Sequence, residues 1–211
     1  MRRSFFNCLF VLAALAAFVT AGCGGSKPSR FYMLQSAANI EEDSGSGTGE
    51  DVVLFGLMPV ILPDYVYRPQ IVTHIGEHEM EYAEYDRWAE PLVDTLTRVI
   101  VGSLREQLDG VLFINYPWVA NVDIGYRLHL EFEQFDIYDD GNAVLDASWS
   151  LGVGRSGEWL RYGYARLVET FEEDKKADYA ARVAALNRLV DRLNERLATD
   201  ITAFLETQPS P

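Results

Sequence analysis

The stretch IGYRLHLEFEQFDIYDDGNAVLDASWSLGV, residues 124–153, decides the fold. Apolar and polar residues alternate strictly from residue 124 to residue 133 and return from residue 143 to residue 153, with Asp140-Gly141 between them as a hairpin turn. A third such segment, residues 159–168, follows a second turn at Ser156-Gly157. One polar face per strand is typical of an antiparallel sheet, so this part of the sequence predicts a three-stranded meander.

Two long helices flank the meander in the sequence. Apolar residues recur every three or four positions over residues 89–108, where Pro91 suits the first turn, and again over residues 176–205. The stripe of the last helix must pack on something. We expect it to cover the open face of the meander, and the alternative is a coiled-coil arm that reaches another subunit.

Short apolar runs add the remaining strands, at residues 31–34, 52–60, 71–75, 78–83 and 111–114. The run at 52–60 is nearly continuous, which predicts burial on both faces, and the first helix followed by the run at 111–114 predicts a β-α-β unit. The fold class is therefore α+β, a mostly antiparallel sheet packed with two long helices, in a single domain over residues 31–207. Residues 36–51 are acidic and poor in apolar side chains, and they predict a flexible loop.

The N-terminus has the pattern of a lipoprotein export signal. Arg2 and Arg3 precede an apolar run that is too short to span a bilayer, and small residues lead directly to Cys23. We expect residues 1–22 to be removed and Cys23 to carry diacylglycerol and an N-acyl chain. Residues 23–30 would then be a short tether. The alternative is an ordinary secretory signal followed by an unrelated cysteine.

The charge balance excludes nucleic acid as a partner. The chain has 18 basic and 32 acidic residues and a formal charge of −14, and loss of the signal removes two arginines more. Such a body repels phosphate backbones and anionic headgroups, so membrane attachment must come from the lipid. Gly24 follows the lipidated cysteine where an Asp would retain the protein in the inner membrane. This predicts an outer-membrane lipoprotein that faces the periplasm of a Gram-negative bacterium.

The sequence contains no signature of a catalytic nucleophile, and we expect a protein that is not an enzyme and has no cofactor. His74 and His78 are four residues apart, but on a strand this spacing separates them by about 13 Å, too far for one metal ion. Carboxylates are numerous, and their spacing alone does not distinguish an acidic surface from a catalytic pair. Cys8 leaves with the signal, so we expect no disulfide.

Several segments resemble a known family. They are Phe31-Tyr32-Met33-Leu34 just after the lipobox, a P-x-Y-x-x-R-P-Q-I-V segment at residues 63–72, an A-E-Y-x-R-W-A-E-P-L segment at residues 83–92, and Pro117-Trp118. Together they are similar to the auxiliary lipoproteins of ABC-type and MCE-associated transport systems. The resemblance implies a non-catalytic component that docks on a periplasm-spanning MCE-domain protein. That partner and its inner-membrane permease would move lipid between the membranes, and the lipoprotein would form a homo-oligomeric ring.

The motif residues have two possible roles, in the fold or in partner contact. They are Tyr65, Arg68, Pro69, Tyr85, Arg87, Trp88, Glu90 and Pro91. In the structural role, Trp88 fills the core and Arg87 pairs with a carboxylate such as Glu90. In the contact role, exposed tyrosines are the better candidates, namely Tyr65, Tyr67, Tyr82 and Tyr85.

Two rival functions remain open: a lipid carrier with an apolar cavity between the meander and a helix, and a structural envelope lipoprotein. A carrier needs an unfilled cavity, whereas the large side chains of this sequence are sufficient to fill one core. The ones expected there are Phe132, Trp149, Trp159 and Leu193.

Overall fold

The computed structural model describes residues 27–36, 52–118, 122–154, 157–171 and 178–208. The predicted signal, Cys23, Gly24 and nearly all of the predicted loop at 36–51 lie outside these ranges. The elements are β1 (Arg30–Tyr32), β2 (Val53–Leu57), a 3-10 turn (Asp64–Val66), β3 (Gln70–Ile75), β4 (Glu79–Trp88), α1 (Leu92–Gln107), β5 (Val111–Asn115), β6 (Tyr126–Ile137), β7 (Asn142–Val153), β8 (Trp159–Thr170) and α2 (Tyr179–Leu205).

The predicted meander is confirmed. Strands β6, β7 and β8 pair antiparallel in sequence order, and the turn between β6 and β7 contains Gly141 at a φ of 97°. Buried, mostly apolar side chains on one face of the meander alternate with polar side chains on the other face, as the sequence pattern predicts.

The prediction of a mostly antiparallel sheet is wrong, because both sheets are mixed. The five-stranded sheet has the order β5-β2-β6-β7-β8, in which β2 is parallel to both of its neighbours. The three-stranded sheet has the order β1-β4-β3, and β1 runs parallel to β4. The nearly continuous apolar run of β2 suits an interior strand between two partners. Strand β5 pairs with β2 and not with β4, the strand directly before helix α1. The prediction of a simple β-α-β unit at this helix is therefore also wrong.

Helix α2 covers the inner face of the meander, as we expected. Its apolar stripe is used in this contact, so it does not form the alternative, a coiled-coil arm that reaches another subunit. Its fully buried side chains face β6, β7, β8 and helix α1. They include Leu186, Leu189, Val190, Leu193, Leu197 and Ile201. The indole Nε1 of Trp149 donates to Asp200 on the helix at 2.9 Å. A Cβ on Gly163 would lie 2.1 Å from the Trp149 ring, so this position requires glycine.

The boundaries of β4 and α1 are among those that differ from the sequence prediction. Strand β4 continues to Trp88, five residues beyond the predicted end, and α1 begins at Leu92 with Pro91 as its N-cap residue.

Trp159 is not a core residue, in contrast to the sequence prediction. A register shift between Leu151 and Gly152 puts it on the outer face of the sheet, where the Arg127 guanidinium stacks 4.8 Å from its ring. Neither of the two helices has the length and apolar content of a membrane-spanning segment in the part of the chain described.

Candidate functional site

The hairpin of β3 and β4 brings the two family-like segments together. The turn between the strands contains Gly76 at a φ of 65°, and the strands pair antiparallel. The start of β3 therefore meets the end of β4: Gln70 pairs with Arg87, and the backbone N–H of Trp88 donates to the carbonyl of Pro69 at 2.7 Å. Two segments that are about twenty residues apart in the chain become one surface.

This surface contains a groove of about 320 Å³, which we call the motif groove. Its lining residues are Tyr67, Arg68, Pro69, Trp88, Ala89, Glu90, Pro91 and Leu92. Trp88, only 7% exposed, belongs to the hydrophobic core and forms part of the wall, whereas Tyr67 and Arg68 are exposed at the rim. The arrangement is an apolar depression with one cation and one anion at its edge, which suits a protein segment that has an apolar side chain.

Glu90 is fixed at the rim by helix α1. The Thr95 hydroxyl donates to its Oε1 at 2.7 Å, and the Arg98 guanidinium donates to the same oxygen. These hydrogen bonds, that from Thr95 first, lower the pKa of Glu90 below its usual range. The predicted pair between Arg87 and Glu90 is therefore wrong, because Glu90 pairs with Arg98 on helix α1. Arg87 pairs in register with Phe31 of β1, and its Nε has no hydrogen-bond partner among the described residues.

Tyr65 is directed away from the motif groove. Its hydroxyl donates to Oδ1 of Asp136 at 2.6 Å, and Nε2 of His74 lies 3.2 Å from the same oxygen. Burial and, after it, the hydrogen bond to this carboxylate raise the pKa of Tyr65 well above its usual value. The interpretation of Tyr65 as an exposed contact residue is wrong. It is half-buried and joins the 3-10 turn to the end of β6.

The other predicted contact residues separate into two groups. Tyr67 and Tyr82 are exposed, and the Arg68 guanidinium stacks 4.8 Å from the Tyr82 ring. Tyr85 is half-buried and lies outside the motif groove. Of the eight predicted motif residues, the structure brings Arg68, Pro69, Trp88, Glu90 and Pro91 to the groove.

The two histidines considered for a metal site are separated in the structure. His74 faces Asp136 and stacks on Tyr138 at 4.8 Å, whereas His78 lies in the exposed turn beside Glu77. Across the described ranges, no three side chains of His, Cys, Asp or Glu are grouped closely enough to hold a metal ion.

Sequence reasoning missed a cluster on the outer face of the larger sheet. Trp118 lies against Gly56, where a Cβ would be 2.6 Å from the indole, and Trp159 lies against Gly152. Arg127 stands between the two glycines in register. Two glycines inside strand patterns were the available signal, because such positions often mark the close approach of a bulky group.

Comparison with known proteins places these observations in a family. The family described as ABC-type transport auxiliary lipoprotein component matches residues 32–198. The intermembrane transport lipoprotein PqiC of Escherichia coli (strain K12) is 24% identical over 140 residues, which cover 66% of this chain and 72% of that protein. The PqiC of Shigella flexneri matches to the same extent.

Two solved structures have the same fold. Protein XCC0632 from Xanthomonas campestris superposes with a TM-score of 0.65 at 15% identity, covering 85% of this chain and 100% of that one. A crystal structure of an uncharacterized protein superposes with a TM-score of 0.64 at 20% identity, covering 83% of this chain and 99% of that one. The family match extends from β1 into α2 and includes every residue of the motif groove. The chain belongs to the ABC-type transport auxiliary lipoprotein family.

Proposed function

We propose that this lipoprotein is a non-catalytic component of an intermembrane lipid transport system and docks a periplasm-spanning MCE-domain protein at the motif groove. The observation that carries the proposal is the convergence of the two motif segments on one open, mostly apolar groove. Residues that serve only the core would not need to leave such a depression at the surface. The name of the PqiC relatives, intermembrane transport lipoprotein, supports the same process.

The proposed anchor gives the direction of docking. Lipid on Cys23 and a glycine at position 24 would keep the protein at the outer membrane, facing the periplasm. The stretch from Cys23 to Phe31 extends to about 28 Å at most, at about 3.4 Å per residue. The body would therefore stay close to its own membrane, and its partner, held by the permease in the inner membrane, would have to cross the periplasm to reach it.

The charge of the chain limits how copies could assemble. With a formal charge of −14, copies repel one another unless their contacts are apolar, aromatic or pair acids with arginine. Tyr116, directly after the edge strand β5 of the larger sheet, is exposed and available for such a contact. A ring of several copies around the tip of the partner is the assembly that we propose.

The carrier alternative receives little support from the packing. Between the meander and α2, where a carrier would need its cavity, the side chains of Trp149, Leu189 and Leu193 are buried. A recess of about 650 Å³ lies elsewhere, between α1 and the ends of β2 and β5. Arg98, Arg105 and Asp94 are among its lining residues, so it is not the closed apolar cavity of a carrier.

Site-specific photocrosslinking in cells tests the docking surface. A benzoylphenylalanine in place of Tyr67, at the rim of the motif groove, should form an adduct with the MCE-domain partner. The matched control is the same replacement at Tyr162, which is exposed on β8 of the other sheet. An adduct with the partner from position 162 but not from position 67 would contradict the assignment of the groove.

A further inference from the structure

Strand β1 and the residue that follows it leave two large apolar side chains in solvent. Phe31 is 64% exposed and Met33 is 44% exposed, whereas Leu34 is fully buried and Tyr32 packs against the core. Alternate residues of an extended chain point to the same side, so Phe31 and Met33 project outward together. We call this pair the β1 apolar pair.

The pair is held firmly on the body. Arg30 Nε and the Tyr32 hydroxyl donate to Oδ1 of buried Asp86 at 2.6 and 2.9 Å. The backbone N–H of Ala89 donates to the carbonyl of Tyr32 at 2.8 Å. The exposed side chains therefore keep a fixed position relative to β4 and to the motif groove, which contains Ala89.

An exposed cation accompanies the pair in a chain that is otherwise acidic. Lys27 is exposed where the described chain begins, four residues before Phe31. Arg87 pairs in register with Phe31, but its guanidinium Nε is buried, so we assign it no contact outside the body. A cation beside exposed apolar side chains matches a surface that offers phosphate oxygens above an apolar layer.

The chain length to the proposed anchor identifies that surface. Lys27 is four residues from Cys23, at most about 14 Å of extended chain, and Phe31 is at most about 28 Å away. The β1 apolar pair is thus the exposed apolar group nearest in sequence to the lipid. We propose that Phe31 and Met33 enter the headgroup region of the membrane that holds Cys23, with Lys27 on a lipid phosphate.

This inference rests on the lipid anchor of the proposed function, and it adds an orientation. Because Ala89 bonds to Tyr32, the motif groove lies beside the strand that touches the membrane. The membrane contact would fix the groove at a constant height, close to the bilayer surface. A docked partner would then end next to the membrane that it serves.

An environment-sensitive fluorophore tests the contact in the full lipoprotein. Cys8 and Cys23 are the two cysteines of the sequence; the first leaves with the signal, and the sulfur of the second takes no thiol label once it carries lipid. A Phe31→Cys variant labelled with nitrobenzoxadiazole is reconstituted into vesicles of phosphatidylethanolamine with a minority of phosphatidylglycerol. A Tyr162→Cys variant, labelled in the same way, is the matched control because Tyr162 is 69% exposed on the other sheet.

The expected result is a blue shift and a gain in emission at position 31, with emission at position 162 unchanged from that in water. Equal emission at both positions, with or without a shift, would overturn the proposed membrane contact. A shift at position 31 that appears without vesicles and grows with protein concentration would assign the pair to a second copy and also overturn it. Labelling of the wild-type chain would refute the lipid anchor separately. The same comparison would then be made on a body tethered by an N-terminal histidine tag to nickel-chelating lipids.

Discussion

Replacing Tyr65 with phenylalanine separates the two roles that the sequence allows for a motif residue. The change removes the hydroxyl that donates to Asp136 at 2.6 Å, and the carboxylate, on a residue that is 2% exposed, retains the hydrogen bond from the Gln134 amide at 3.3 Å. A hydrogen bond to a charged group contributes about 1.5–3 kcal/mol, so we expect a loss of about 2 kcal/mol in the free energy of unfolding. For a domain of this size that loss lowers Tm by about 4–8 °C.

Thermal unfolding of the soluble form without residues 1–23, followed by circular dichroism, measures the effect. Tyr162→Phe is the matched control, because that exposed hydroxyl donates to the Trp159 carbonyl at 3.4 Å, a weak hydrogen bond at the surface, and its loss should change stability by less than about 0.5 kcal/mol. Equal stability of wild type and Tyr65→Phe, together with a loss of partner binding, would refute the structural role of Tyr65.

The pH dependence of the same pair of proteins provides a second test. Burial raises the pKa of Tyr65 in the folded protein, so its hydroxyl stays protonated at a pH where the unfolded chain ionises. The stability that this group contributes is complete below the ordinary tyrosine pKa of about 10 and is lost as the pH rises above it. The difference between wild type and Tyr65→Phe should therefore shrink above about pH 10. A difference that stays constant up to pH 11 would contradict the raised pKa.

Three further predictions concern the anchor, the sorting signal and the core. Cys23→Ser should abolish labelling by a clickable palmitate analogue, and persistent labelling would show that the lipid is elsewhere. Gly24→Asp should move the protein to the inner-membrane fraction of a sucrose gradient, and an unchanged distribution would show that another feature controls sorting. Gly163→Ala should destabilise the protein by about 1–3 kcal/mol in urea unfolding, because its Cβ would lie 2.1 Å from the Trp149 ring, and a neutral result would show that this packing relaxes easily.

The periodic elements were predictable because the spacing of apolar residues within each element shows which of its faces is buried. The alternation in β6 and β7 and the stripe of α2 are local patterns, and the structure confirms the meander and the helix that covers it. The parallel pairing of β2 with β5 and β6 was not predictable, since an apolar run indicates burial but not which strands lie on either side. Trp159 was misplaced because a register shift reverses the face of its strand, and no residue type marks that shift.

The site was predictable only where it is local. A hairpin with glycine at its turn brings the start of β3 to the end of β4, so the convergence of the two motif segments follows from the sequence once that turn is recognised. The exact pairing of Gln70 with Arg87 does not follow, because it depends on a register shift between Gln70 and Val72. The role of Tyr65 depends on Asp136, which is 71 residues further along the chain. The role of Glu90 depends on Arg98, eight residues later on the helix that begins beside it. Contacts of this kind require the three-dimensional arrangement.

Light scattering of the soluble form across a salt series, with and without the periplasmic portion of the MCE-domain partner, tests the central claim most directly. Screening shortens the range of charge repulsion from about 10 Å at 0.1 M salt to about 3 Å at 1 M. We expect association of this acidic chain to increase with salt, and the partner to assemble several copies into one complex at low salt. A strict monomer at every salt concentration that never binds the partner would contradict both the ring and the docking function.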